Sequence, residues 1–200
     1  NGWSDYYESM TMPAENITFT ANWSVNQYTI IFNSNGGSEV APITQDYNTA
    51  VNAPTAPTKA GYIFAGWQLD GEDYTFSTMP VENITLTAMW EPLTTIKYTV
   101  EHYLEELLGG YPSAPNAMEL LNGTTGELVT ANAKEYTGFT YTPTVAETVY
   151  SGIVTVDSGL VLKLYYNRNY YTVSWDGNGG NLNTDGATTG SVKYGAPISK

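Results

Sequence analysis

The chain contains a single histidine, His102, which is its only candidate for acid–base chemistry near neutral pH. A catalytic base needs a second group that orients it and a reacting group within hydrogen-bond reach. Glu101 and Tyr103 are its sequence neighbours, but in an extended strand they point to the opposite side. The spacing therefore predicts a partly buried, hydrogen-bonded strand histidine, at the end of the face that carries Tyr98 and Val100.

A second candidate site is the acidic, glycine-rich stretch 176–181, followed by Asp185, which has some features of a calcium loop. Calcium requires six to eight oxygen ligands, usually with a bidentate acid that closes the loop. No glutamate closes this loop, so a hairpin turn is favoured over a metal site.

The acidic residues Asp70, Glu72 and Asp73 could act as paired carboxylates on a glycosidic bond if they were held about 5–9 Å apart. The related segment near the start of the chain has Asp5 and Glu8 instead, so the arrangement is not repeated. We expect a solvated loop. The chain also lacks cysteine, a Gly-x-Ser-x-Gly elbow and a phosphate-binding glycine loop. We therefore predict no catalytic residue, no metal ligand and no cofactor.

Aromatic side chains are abundant, with 17 tyrosines and 5 tryptophans. Such rings can stack on sugars or anchor protein interfaces, but they also favour strands for packing reasons alone. Most of the tyrosines fall in alternating stretches, which favours the structural role. Tyr103, Tyr111 and Tyr165 are the best candidates for surface ligand binding, because they lie opposite the apolar face or in an insert.

The formal net charge of −13 excludes the basic patch that nucleic-acid binding requires, and it disfavours binding to an anionic membrane surface. No apolar run approaches the ~20 residues of a membrane span, and residues 1–5 do not resemble a signal peptide. A cysteine-free chain of this kind is easier to assign to a bacterium than to the eukaryotic extracellular space.

Internal repeats determine the predicted layout. Residues 12–23 recur as 79–90 with nine of twelve identical positions, at an offset of 67, and residues 28–37 match 171–180 at an offset of 143. These offsets predict a complete module over 25–91, a different module over 92–167, the back part of a module over 1–24 and the front part of another over 168–200. Both chain ends are expected to fall inside modules of a longer array.

Alternating apolar residues predict the strands that position these side chains. In the complete module, strands are expected around Tyr28–Phe32, at Ile63, Ala65 and Trp67, and over 84–90, with turns at 35–37 and 70–71 and an extended proline-rich connector at 53–58. Ile17, Phe19, Ala21 and Trp23 repeat the apolar face of the last strand. In the middle module we expect strands over 97–104, 138–141 and 160–165, and one short helix around 116–121 or 126–134.

Four segments together resemble the Listeria–Bacteroides repeat, also called the internalin B-repeat. They are residues 28–37, residues 54–57, the Gly-Tyr-Ile-Phe-Ala-Gly-Trp run at 61–67 and residues 83–90. The middle module resembles the mucin-binding-protein (MucBP) module at Tyr98–Tyr103, 138–141 and 160–166. Its insert at 107–121 departs from the usual short hairpin.

The resemblance implies a mostly β, or small α+β, chain of tandem β-grasp-like (ubiquitin-like) modules in an elongated array. It also implies an extracellular location on the surface of a bacterium, mainly of the Gram-positive type, and the partners would be neighbouring modules and a glycan or host surface protein. We therefore expect a non-catalytic stalk or adhesion region. The alternatives are a glycan- or host-glycoprotein-binding module and an accessory region of a surface enzyme.

Overall fold

The computed structural model describes residues 11, 14, 16, 18, 20–157, 159–178 and 189–198. The chain divides into two compact units, unit 1 (Asn1–Glu91) and unit 2 (Pro92–Lys200). The described residues form thirteen strands and no helix. None of the elements in this part of the chain is thus a helix of the length and hydropathy that a membrane span requires.

Unit 1 is a five-stranded sheet in the order β2-β1-β5-β3-β4. Strands β1 and β5 are parallel, whereas β1–β2 and β3–β4 pair antiparallel. The strands are β1 (Gln27–Asn33), β2 (Ile43–Asp46), β3 (Tyr62–Leu69), β4 (Glu72–Asp73) and β5 (Ile84–Pro92).

The core of unit 1 comes mainly from the predicted alternation. One face of β1 and β5 is buried. Two loop residues, Val51 and Met79, also belong to the core, and backbone hydrogen bonds join the two loop segments that carry them. The buried residues are Ile30, Phe32, Val51, Trp67, Met79, Ile84, Leu86 and Ala88. The predicted strands at 28–32 and 84–90 and the strand-free connector at 53–58 are confirmed.

The predicted apolar face of β3 is wrong. Ile63 is 55% exposed and Ala65 is exposed, whereas Phe64 packs against the core and Trp67 is buried. Phe64 and Trp67 are three residues apart, which strict alternation does not allow. Gly66 lies between them with a φ of 144°, a conformation that favours glycine and shifts the phase of the strand.

The glycine turn of unit 1 explains why the sequence pairs Asn-Gly-Gly with a distant tryptophan. Asn35 and Gly36 have φ values of 48° and 82°, as the predicted turn requires. The Trp90 indole N–H donates to the Ser34 carbonyl at 3.0 Å. A Cβ on Gly37 would lie 2.4 Å from the Trp90 ring, so this position has room only for glycine.

The predicted repeat of the β5 face near the start of the chain has a different outcome. Ile17 and Phe19 lie outside the described residues, and Ala21 and Trp23 are not in a strand. In unit 1 the strand β5 is held by β1, which precedes it by about 50 residues.

Unit 2 contains a four-stranded sheet in the order β7-β6-β11-β9 and two smaller pairs, β8–β10 and β12–β13. The strands are β6 (Ile96–Leu104), β7 (Ala117–Gly123), β8 (Leu128–Thr130), β9 (Phe139–Tyr141), β10 (Ser151–Ile153), β11 (Val161–Arg168), β12 (Tyr170–Ser174) and β13 (Thr189–Lys193). The predicted strands at 97–104, 138–141 and 160–165 are confirmed. The core consists of Tyr98, Val100, Val129, Val154, Leu162, Leu164 and Tyr166.

The predicted short helix is wrong at both suggested positions. Residues 117–123 form β7, which pairs antiparallel with β6, and residues 128–130 form β8, which pairs with β10. Neither segment has a continuous 3.6-residue apolar stripe, so pairing with a distant strand determined the local conformation.

The two sheets share one topology. In each, the first and last strands lie side by side and parallel. The second strand flanks the first, and a strand from the middle of the sequence, β3 or β9, flanks the last. The β12–β13 hairpin also reproduces β1–β2, since Thr172 faces Ser191 where Thr29 faces Thr44. No helix packs on either sheet among the described residues, so the β-grasp-like arrangement stays a prediction.

Candidate functional site

His102 lies at the buried end of a polar network that involves β6, β7 and β11 and reaches the partly exposed side chains of Glu119 and Lys134. Its side chain is 0% exposed, and both ring nitrogens are occupied. Nδ1 lies 2.9 Å from the Tyr166 hydroxyl, and Nε2 lies 2.8 Å from Glu119 Oε1. Lys134 Nζ contacts the other oxygen of Glu119 at 3.0 Å. The predicted hydrogen-bonded strand histidine is confirmed, and its burial is complete rather than partial.

One arrangement of protons satisfies every donor and acceptor around His102. The Tyr166 hydroxyl accepts from the Lys134 backbone N–H at 3.0 Å, and its own O–H is free to donate to His102 Nδ1. In this arrangement Nδ1 accepts from Tyr166, and the N–H at Nε2 is donated to Glu119. Each group has a partner in this tautomer, so the buried polar atoms are satisfied without a ligand.

The charges of the network follow from these bonds. Hydrogen bonds from Lys134 and His102 hold the pKa of Glu119 below its usual value, while burial raises the pKa of the Tyr166 phenol. Both ring nitrogens of His102 are therefore engaged in hydrogen bonds within the protein.

The three candidate tyrosines are brought together on the opposite face of the same sheet, which we call the outer face. The Tyr103 and Tyr165 rings stack with centroids 4.8 Å apart, and Tyr111 meets Tyr165 edge-on at 4.7 Å and donates its hydroxyl to Asn167. Tyr103 and Tyr165 are only 7% and 6% exposed. Their expected surface exposure is therefore wrong, because each ring covers the other and Tyr111 folds over Tyr165.

Burial also changes the acidity of this cluster. Burial and a 2.7 Å hydrogen bond to Glu101 raise the pKa of Tyr103 to about 12. Burial likewise raises the pKa of Tyr111 and Tyr165. All three phenols stay neutral at physiological pH, and their ring faces are largely used within the protein.

The other acidic candidates of unit 1 lie in a turn. Asp70, Glu72 and Asp73 are exposed at the β3–β4 hairpin, as expected for a solvated loop, and Asp73 accepts a hydrogen bond from Gln68 at 3.1 Å. Within the described ranges, no group of three or more His, Cys, Asp or Glu residues could hold a metal ion.

The described part of the calcium-like stretch has turn geometry. Asn178 has a φ of 44°, and its backbone N–H donates to Asp176 Oδ1 at 2.9 Å. Residues 179–181 and Asp185 lie outside the described residues, so the remainder of this stretch stays a prediction.

Sequence reasoning missed one cluster, which joins the middle module to the β12–β13 hairpin inside unit 2. We call it the joint. Its residues are Glu105, Arg168, Asn169, Lys193 and Tyr194. Glu105 accepts from the Arg168 backbone N–H at 2.8 Å and from Lys193 Nζ at 2.6 Å. The Arg168 guanidinium donates to the Glu105 and Tyr194 carbonyls at 2.6 Å and 2.8 Å.

Backbone contacts complete the joint. The Asn169 N–H donates to the Gly138 carbonyl, and its own carbonyl accepts from Tyr194, both at 2.8 Å. A Cβ on Gly138 would lie 2.1 Å from the Tyr194 ring, so the two parts meet without a gap. Burial alone would raise the pKa of Glu105, but the hydrogen bonds from Lys193 and Arg168 outweigh it and lower the pKa.

Comparisons with known proteins agree with the repeat pattern. Residues 28–89 match the model of the Listeria-Bacteroides repeat domain. The chain is 33% identical over 190 residues, 90% of its length, to a protein of Evansella cellulosilytica named as a Gly-rich membrane protein, of which it covers 21%. A second protein of that organism, named as a membrane protein, is 32% identical over 82% of this chain and 24% of its own length.

Internalin H of Listeria monocytogenes is 40% identical over 84 residues, which are 40% of this chain and 15% of that protein. The chain thus spans about a fifth to a quarter of the length of the two Evansella proteins. The likeness of 92–167 to the mucin-binding-protein module stays a prediction. The comparisons thus show that residues 28–89, in unit 1, are similar to the Listeria-Bacteroides repeat domain, and the match to internalin H supports a repeat module in this chain.

Proposed function

We propose that this chain is a non-catalytic spacer region of a bacterial cell-surface protein, which holds other parts of that protein at a set distance. The observation that carries the proposal is the joint. Strand β11 ends at Arg168 and β12 begins at Tyr170, so a single residue separates the middle module from the next hairpin. The bonds of Glu105, Arg168 and Asn169 fix the hairpin on the module, as a spacer requires.

Two further features support this role. The repeat module recurs in the sequence, and recurrence is typical of chains whose function depends on length. The one histidine network that could perform acid–base chemistry is closed by its own hydrogen bonds. The names of the relatives, an internalin and two membrane proteins, are consistent with a location at the cell surface.

A distance measurement across the joint tests the proposal. The chain has no cysteine, so Leu128→Cys and Ser191→Cys provide two exposed positions for spin labels. We expect one narrow distance distribution by pulsed electron resonance, and a broad one when Glu105→Ala is added. Glu106→Ala is the matched control, because this neighbouring side chain is exposed and has no part in the joint. A broad distribution in the doubly labelled parent would contradict a spacer role.

Glycan binding at Tyr103, Tyr111 and Tyr165 is the second candidate, and it has less support because the rings stack on one another. A glycan array with the full chain, and with Tyr103→Ala and Tyr165→Ala, tests it. Binding that both substitutions abolish would favour this role, and an array without signal would remove it.

A further inference from the structure

Strand β7 is the longest strand with a free edge among those the structure describes. It has seven residues, whereas the other edge strands have two to five. An edge presents unpaired N–H and C=O groups, which natural sheets shield with lysine, proline, bulges or short length. The sequence of β7, Ala-Met-Glu-Leu-Leu-Asn-Gly, contains neither lysine nor proline.

Exposed apolar side chains on β7 would add buried apolar area if another strand paired with this edge. Met118 and Leu120 project on the outer face and are 64% and 66% exposed, and Leu121 is also exposed. The only charge on the strand is Glu119, which projects on the core side. Both of its oxygens are already bound, by His102 and Lys134, so a new neighbouring strand would not have to satisfy them.

We infer that β7 is a docking edge for the β7 strand of a second copy of this chain, antiparallel to it and with Leu120 opposite the partner's Leu120. In this register the sheets of the two copies become one continuous sheet of eight strands. The inference goes beyond the spacer role and does not depend on it.

The charge pattern next to β7 favours a second copy over an unrelated peptide. Glu101 lies beside Met118, and Lys97 lies beside Asn122. Pairing centred on Leu120 puts Met118 opposite the partner's Asn122. The row of side chains that crosses the joined sheets at this point has Glu101 at one end and the partner's Lys97 at the other. The attraction is weak over about three strand spacings, given a screening length of about 8 Å. What matters is that no carboxylate faces another, although the chain has a net charge of −13.

Disulfide trapping in the full chain tests the register. Leu120→Cys would place two thiols on directly opposite residues, whose Cα atoms are about 4.5–5.5 Å apart in an antiparallel pair, within the range for a disulfide. Met118→Cys is the matched control, because it is equally exposed on the same face. The partner's Met118 would be about 14 Å away along the strand, too far to bridge.

With oxidised glutathione, we expect Leu120→Cys to form dimers at least tenfold faster than Met118→Cys. A mixture of Met118→Cys and Asn122→Cys should form the mixed dimer faster than either forms its own. Equal rates for Leu120→Cys and Met118→Cys would show random collision and overturn the inference.

Sedimentation of the cysteine-free chain provides a second measurement. We expect a mass that rises above the monomer with concentration, because a seven-residue edge pair is weak. Leu120→Lys places like charges opposite each other and should return the chain to a monomer, whereas Leu128→Lys, equally exposed but outside β7, should not. Association that survives Leu120→Lys would also overturn the inference.

Discussion

Replacement of His102 by alanine is the perturbation that best tests the closed network in unit 2. The substitution removes the side-chain partner of the buried Tyr166 hydroxyl, and an unsatisfied buried polar group costs about 1–3 kcal/mol. Removing a fully buried ring also leaves a cavity, for which large-to-alanine changes cost about 2–5 kcal/mol. Because these contributions overlap, we expect a loss of about 4 kcal/mol in the free energy of unfolding of unit 2.

Hydrogen exchange read by mass spectrometry measures this loss in each unit separately. A loss of about 4 kcal/mol corresponds to exchange about 10³-fold faster in peptides covering β6 and β11, since about 1.4 kcal/mol is a factor of ten. Peptides covering β1 and β5 should not change, because they belong to the other unit. Lys97→Ala, an exposed change on the same strand as His102, is the matched control and should cost less than about 0.5 kcal/mol.

A less than tenfold increase in the hydrogen-exchange rate of the β11 peptide in His102→Ala would refute this expectation. It would mean that Tyr166 and Glu119 find other hydrogen-bond partners when His102 is absent. The imidazole of His102 would then be available for another role.

Three further predictions concern the turn, the joint and the tyrosine cluster. Gly37→Ala should lower the stability of unit 1 by about 1–3 kcal/mol in urea unfolding, because its Cβ would overlap the Trp90 ring, and the loss should shrink when Trp90→Leu is also present. The folded-state pKa values of Glu105 and Glu119 lie below the ordinary value of 4.5, so their stabilisation of unit 2 is present above that pH and is lost as the pH falls through the folded pKa. The melting temperature of unit 2 should therefore drop as the pH falls below about 4.5, less steeply in Glu105→Gln than in Glu106→Gln. In an absorbance titration, Tyr103→Phe should remove one phenol that ionises near pH 12, whereas Tyr47→Phe, an exposed tyrosine, should leave that late step unchanged.

The strands and most of the two cores could be predicted from the sequence, because alternation is a local signal. Ile30 with Phe32, and Leu162 with Leu164, lie two residues apart and are buried together. The features that could not be predicted depend on distant partners. The phase shift at Gly66 follows from how β3 packs, and β7 is a strand because β6 lies beside it.

The candidate sites show the same division. The burial of His102 followed from its place on an apolar face, but its partners Glu119 and Tyr166 lie 17 and 64 residues away. Glu105 and Lys193 are 88 residues apart, with no motif around either. The stacking of Tyr103 on Tyr165 depends on the parallel pairing of β6 with β11, which alternation within one strand does not reveal.

The parallel central pair in each unit determines how the chain resists tension. In each sheet, the strand nearest the N-terminus lies directly beside the last strand and runs in the same direction, with paired residues such as Ile30–Ile84 and Leu162–Val100. A pull on the start of β1 and the end of β5, or on the start of β6 and the end of β11, drags the two strands of the pair past each other along their length. All the hydrogen bonds between them then share the force at once, whereas an antiparallel hairpin pulled from its open end would unzip one bond at a time. Each parallel pair is thus loaded in shear when the chain is pulled from the two ends of that pair.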